Sequence, residues 1–160
     1  MAERLPLVIV GGQIQQLQAG DLLPADAITE LEAVEMTATS NLVIGNAVFI
    51  DGDDSVELAQ ADAIGTAEVL GLCVDTTVNA AANGVIATAG AVLTATTGEW
   101  DAVAGTTGGL TAGAHYFLSK DSAGELTETA PTAVGEVVIS VGKGLSTLKM
   151  KIDPQHTILL

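Results

Sequence analysis

The sequence predicts an all-β protein, a small β-barrel or β-sandwich carrying an extended N-terminal arm. Three observations lead there. From Asn41 onward, short apolar runs alternate with turn residues every eight to twelve positions or so. The 160 residues include 18 glycines and are 48% hydrophobic, yet only 2% aromatic, so the core is built from Ala, Val, Leu and Ile with tight backbone approach. Residues 1–40, by contrast, have little clear periodicity, which sets them apart as an arm. A chain of this length suffices for one domain with a real core, which removes roughly 70% of the unfolded surface from water.

Residues 1–40 read as the arm and 41–160 as the β domain. The arm contains Pro6 and Pro24 and the apolar run Leu5, Leu7, Val8, Ile9, Val10. An arm this apolar is expected to lie against its own domain or a neighbouring subunit rather than in water. A short helix is possible at "PADAITELEAV", where Pro24 suits a first turn and acids follow. "VIVGGQ" is a turn, because the G-x-G-x-x-G spacing of a dinucleotide loop is absent.

In the domain, "NAVFI" predicts a strand, "DGDDS" its turn and "VELAQ" the returning strand. "AEVLGLCVD" is apolar on both faces, with Val69 and Cys73 on one and Leu70, Leu72 and Val74 on the other. Such a strand is covered twice, by its own core and by something else. "GVIATAGAVLTAT" continues the β texture, and "TTGEWDAVAGTTGGLTAG" reads as a Gly- and Thr-rich loop. In "AHYFLS", alternation sends Ala114, Tyr116 and Leu118 one way and His115, Phe117 and Ser119 the other. "KDSAG" is a hairpin turn, "ELTET" the strand that returns from it, and "EVVISVG" a further strand. "TLKMKID" closes the domain, with Leu148, Met150 and Ile152 inward and Lys149 and Lys151 outward, before Pro154 and an apolar terminus.

Charge narrows the partners. Twenty Asp and Glu against five Lys and Arg give a net −15. That opposes nucleic-acid binding, which needs cations to displace counterions, and opposes an anionic membrane surface. A mean hydropathy of +0.47 with only 16% charged residues is greasy for a lone domain, so either much of the surface is Ala, Thr, Ser and Gly or much of it is buried against other subunits. Cys73, the sole cysteine, sits in an apolar run as an inert buried thiol and leaves no intrachain disulfide. "LPLVIV" is too short for a signal peptide, and no apolar run reaches membrane-spanning length. Synthesis and use without export are expected.

No catalytic constellation emerges. His115 and Tyr116, adjacent in sequence, fall on opposite faces of a strand and cannot form a dyad. His156 lies in the C-terminal tail, and no G-x-S-x-G elbow accompanies either histidine. Asp51, Asp53 and Asp54 offer hard oxygen ligands, but the calcium-loop pattern is not met, and a hairpin turn with solvated acids is the better reading. No metal, cofactor or small-molecule substrate is expected. Trp100, flanked by acids, is expected to anchor a protein interface rather than a carbohydrate. Lys143, Lys149 and Lys151 gather in the last strands, as a guard against edge pairing; contact with an acidic partner is the alternative.

"GNAVFIDGDDSVELAQADAIGTAEVLGLCVDTTVNAAANGVIATAGAV" and "GLTAGAHYFLSKDSAGELTETAPTAVGEVVISVGKGLSTLKMKIDP" together resemble a β domain of tailed-phage virion proteins. That family takes in capsid decoration or cement proteins, head fibres and tail fibres. The resemblance spans about two thirds of the chain and rests on glycines and turns. Phe117 matches the family's second aromatic beside the tyrosine. The resemblance implies no enzyme and no catalytic residue. Within that family, a compact β domain with an apolar arm, an apolar C-terminus and an acidic surface suits a decoration protein on the outer capsid surface of a virion, made in the host cytoplasm, bound to the major capsid protein and homotrimeric. A module of a tail fibre, head fibre or baseplate is the alternative, and a surface glycan hydrolase a more distant one. The partner-binding residues expected on this reading are Leu5, Leu7, Val8, Ile9, Val10, Trp100, Ile158, Leu159 and Leu160.

Overall fold

The computed structural model describes residues 7–10, 13–16 and 32–160. The chain divides into two compact units, residues 1–30 and 31–160. In the first, β1 (Leu7–Val10) and β2 (Gln13–Gln16) pair antiparallel, from Val10 opposite Gln13 to Leu7 opposite Gln16. The possible helix from Pro24 falls outside the described residues, except for Glu32, Ala33 and Val34; Ala33 and Val34 open a strand.

The second unit is almost entirely strand. Five strands close a barrel: β3 (Ala33–Ala38), β5 (Ala47–Gly52), β6 (Ser55–Leu58), β7 (Val69–Cys73) and β9 (Asn83–Thr88), in the order β3-β6-β5-β7-β9. The pair β3–β6 is parallel and closes the ring with the antiparallel pair β3–β9. Residues 33–38 therefore belong to the barrel. The arm boundary expected at residue 40 lies too late, because Met36 and Ala38 already pack toward the barrel interior. A ribbon of β4 (Leu42–Val43) and β8 (Thr77–Val78) contributes Leu42 and Val78 to that interior.

Beside the barrel stands a five-stranded antiparallel sheet of β10 (Val92–Thr94), β11 (His115–Leu118), β12 (Leu126–Thr127), β14 (Ser140–Gly144) and β15 (Lys149–Ile152). Its order is β10-β15-β14-β11-β12. β13 (Val137–Val138) pairs with β16 (Ile158–Leu159) in a separate two-stranded ribbon. The run "EVVISVG", expected as one strand, is thus two, divided at Ile139.

The barrel wall serves two cores. Val48, Cys73 and Ile86 point into the barrel, while their neighbours Ala47, Leu72 and Ala87 pack against Leu118, Val141, Met150 and Ile152 of the sheet side. β7 is apolar on both faces, as its sequence predicts. Its second cover is this chain's own sheet, so β7 gives no ground for a partner subunit. The face assignment also changes. A β-bulge sets Gly71 opposite Val48 but Val69 opposite Phe49, leaving Leu70 as the extra residue. Val69 consequently packs with Leu72 and Val74, and Leu70 with Cys73. Gly71 is needed here, because a Cβ would collide with the Ala87 carbonyl oxygen.

The stretch expected as a loop around Trp100 contains α1 (Thr97–Ala104). Thr96 caps it: its hydroxyl accepts from the Glu99 amide, and the Glu99 carboxylate accepts from the Thr96 amide at 2.7 Å. Gly105 ends it in the left-handed region, φ +62°. Ties between barrel and sheet are polar as well as apolar. Asn46, nearly buried, donates from Nδ2 to the Gly124 carbonyl at the end of the β11–β12 turn, and Gly124 donates to the Ala59 carbonyl.

Candidate functional site

The first candidate, the His115–Tyr116 pair, resolves as two separate environments. His115 is exposed on the outward face of the sheet, and Tyr116 is fully buried beneath it. The Tyr116 hydroxyl accepts from the Thr111 amide at 2.8 Å and donates to Glu128 Oε1 at 2.6 Å. Burial, and then the Glu128 carboxylate, push the phenol above its ordinary pKa; the Thr111 amide works the other way. The same bond holds Glu128 below the usual carboxylate range. This is a latch between β11 and the segment after β12.

Trp100 does not anchor an interface. Its side chain is buried in the chain's own core with Val103 and Ala104, and its indole N–H donates to the Leu148 carbonyl at 3.0 Å. Flanking acids suggested exposure, but they occupy the other faces of α1. Glu99 closes the capping box. The Asp101 carboxylate accepts from the Gly109 and Gly108 amides at 2.7 and 2.9 Å and from the Thr106 hydroxyl at 3.0 Å. Those bonds, Gly109 first, lower the Asp101 pKa; the Thr96 amide and hydroxyl lower that of Glu99. Leu148, expected inward, precedes β15 and is partly exposed, while Met150 and Ile152 are buried as the alternation predicts.

The C-terminal residues present a different surface. β16 carries Ile158 and Leu159, 58% and 56% exposed on opposite faces of the strand, and Leu160 follows. The ribbon is held by backbone bonds: Gly135 donates to the Leu160 carbonyl and Leu160 to the Glu136 carbonyl. Glu136 steadies the preceding turn, accepting from Thr132 and Ala133, and Lys120 lies 3.6 Å from it. These bonds, Ala133 first, lower its pKa. Val134, at the ribbon's start, is 97% exposed. A cavity of about 510 Å³ adjoins, lined by Ile64, Val69, Ile139 and His156 among others. Ile158, Leu159 and Leu160 are therefore available to a partner. Leu7, Val8, Ile9 and Val10 form β1, whose side chains lie outside the described structure, as does Leu5 altogether.

The carboxylate turn is a hairpin. Asp53 and Asp54 connect β5 to β6, Asp54 sits in the left-handed region at φ +55°, and Ser55 donates to Asp51 Oδ1 at 2.9 Å. Among the described residues no group of three or more His, Cys, Asp or Glu is arranged to hold a metal ion. Cys73 is buried in the barrel, and desolvation raises its thiol to about 11. No helix among the described residues is long and apolar enough to cross a membrane.

The lysines call for a further correction. β15, which carries Lys149 and Lys151, lies between β10 and β14 rather than at an edge. Edge protection therefore does not explain them. The register that aligns Lys143 and Lys151 with His115 depends on the strand order.

No model of a known protein family matches the chain, and no curated protein matches it.

Proposed function

We propose that the protein is a structural component of a tailed-phage virion, a decoration protein that binds the outer face of the capsid through the major capsid protein and stabilises the shell. The observation that carries this reading is the β13–β16 ribbon, whose strand β16 leaves apolar side chains more than half exposed on both faces. A β domain with a closed barrel supports it, as does the sequence resemblance to phage virion domains. The mechanism is mechanical. Many copies engage the assembled lattice more tightly than free subunits, so each occupied site stabilises the assembled state. The apolar run of residues 5–10 serves as a second point of attachment, and three copies associate at each site.

The test uses particles with and without the protein. Complete particles should retain their genome to a higher temperature than particles lacking it, and antibody against the protein should label the capsid. Equal heat resistance at full occupancy would overturn the cementing role. Labelling confined to the tail would instead assign the chain to a fibre or baseplate.

A further inference from the structure

Of five Lys and Arg residues in a chain of net charge −15, three (Lys143, Lys149 and Lys151) stand exposed on the outward face of the five-stranded sheet. Strand register aligns His115, Lys143 and Lys151 in a single row: His115 lies opposite Lys143, and Lys143 opposite Lys151. Neighbouring strands are ~4.8 Å apart, so the row spans about 10 Å of backbone. It lines a groove of about 520 Å³ that also includes half-buried Phe117, and Asp153 is the single carboxylate at its wall. The ion pairs found among the described residues both belong to Lys120, so the row makes none.

The opposite chemistry is concentrated on the β5–β6 hairpin. Asp51, Asp53, Asp54 and Glu57 are all exposed there, beside Ile50, which is 57% exposed. An acidic chain repels its copies unless a contact brings unlike charges into register. The two features fit each other, one an acidic projection with an apolar residue, the other a basic groove with a half-buried aromatic.

We propose that the groove over His115, Lys143 and Lys151 is a docking site for a second copy of this chain, which places its β5–β6 hairpin there. The two surfaces differ, so the contact is head-to-tail and repeats until a ring closes. Exposed ion pairs contribute little each. Their part is to set register and reject wrong partners, and Ile50 against Phe117 gives the contact its dehydrated centre. This goes beyond the virion reading and does not depend on it, because the chain alone is tested.

The experiment is sedimentation of the full chain from about 1 μM to 1 mM. Salt is held at about 0.1 M, where a screening length of ~10 Å suppresses repulsion between whole copies but not a contact. The natural chain should associate beyond a monomer. Lys143→Glu with Lys151→Glu should weaken association at least about tenfold, and so should Asp53→Lys with Glu57→Lys. Mixing the two variants should restore it, since each supplies the complement the other lacks. Melting temperatures near that of the natural chain establish that the variants fold. A monomer throughout the range, association indifferent to either reversal, or a mixture that stays dissociated would each overturn the proposal.

Discussion

The barrel interior and the layer between barrel and sheet share walls but are filled differently. Seven buried residues fill the first: Ala38, Leu42, Val48, Val56, Cys73, Val78 and Ile86, none of them aromatic. The second holds both of the fully buried aromatics, Trp100 and Tyr116, with partly buried Phe49 packed against the same cluster. Five short strands leave room inside their ring only for aliphatic chains. The layer between barrel and sheet takes the large side chains among many alanines, and α1 is the device that delivers Trp100 into it. Stability should therefore be unevenly sensitive, with the larger losses on the sheet side.

The largest expected effect is at Trp100. Trp100→Ala should cost about 3–5 kcal/mol by denaturant unfolding, through the cavity left and the lost bond to Leu148. Val48→Ala in the barrel removes two methyl groups and should cost less, roughly 1–3 kcal/mol. Equal losses would break the contrast between the two cores. Tyr116 sharpens it: Tyr116→Ala should cost about 3–5 kcal/mol, but Tyr116→Phe only about 1 kcal/mol, because the ring packs while the hydroxyl merely latches Thr111 and Glu128.

Acid should act on the loops of the sheet side before it reaches the barrel. Glu99, Asp101, Glu128 and Glu136 have pKa values lowered by bonds made in the folded state. A group with a depressed folded pKa adds stability that is present above its unfolded value, near 4, and lost as pH falls through the folded one. Unfolding midpoints should be steady above about pH 5 and decline below it. Asp101→Asn should flatten that decline; an unchanged pH profile would remove Asp101 from the account. The smallest effect belongs to His115→Ala, within about 0.5 kcal/mol, as expected of an exposed side chain.

Alternation made much of this fold legible. The faces of Tyr116, Leu118, Met150 and Ile152 follow from the period of two, and the closed barrel falls within the predicted architecture. Three features were hidden for physical reasons. The bulge at Leu70 shifts the period by one residue without a compositional mark beyond Gly71. α1 is eight residues long and contains Gly98, too short for a helical pattern, although Thr96 and Glu99 at capping-box spacing and Gly105 beyond were readable. Trp100 looked exposed because its neighbours are acidic, yet those acids cap the helix and staple the loop behind it. For the candidate surface, the apolar C-terminus was visible in the sequence. The basic row was not, since His115 and Lys143 are brought together by strand pairing across 28 positions of sequence.

The wall shared by the two cores has a dynamic consequence. Amide protons of Leu72 and Cys73 are hydrogen-bonded in a strand that neither core can release alone: opening the barrel leaves Leu72 held by the sheet side, and peeling off the sheet leaves Cys73 held by the barrel. Their exchange with deuterium therefore waits for the whole of residues 31–160 to come apart. The amides of β16, at the other extreme, exchange by fraying of a two-residue ribbon. Among the described strands, slow exchange is thus expected in one gripped by two cores and fast exchange in one whose apolar side chains stand exposed.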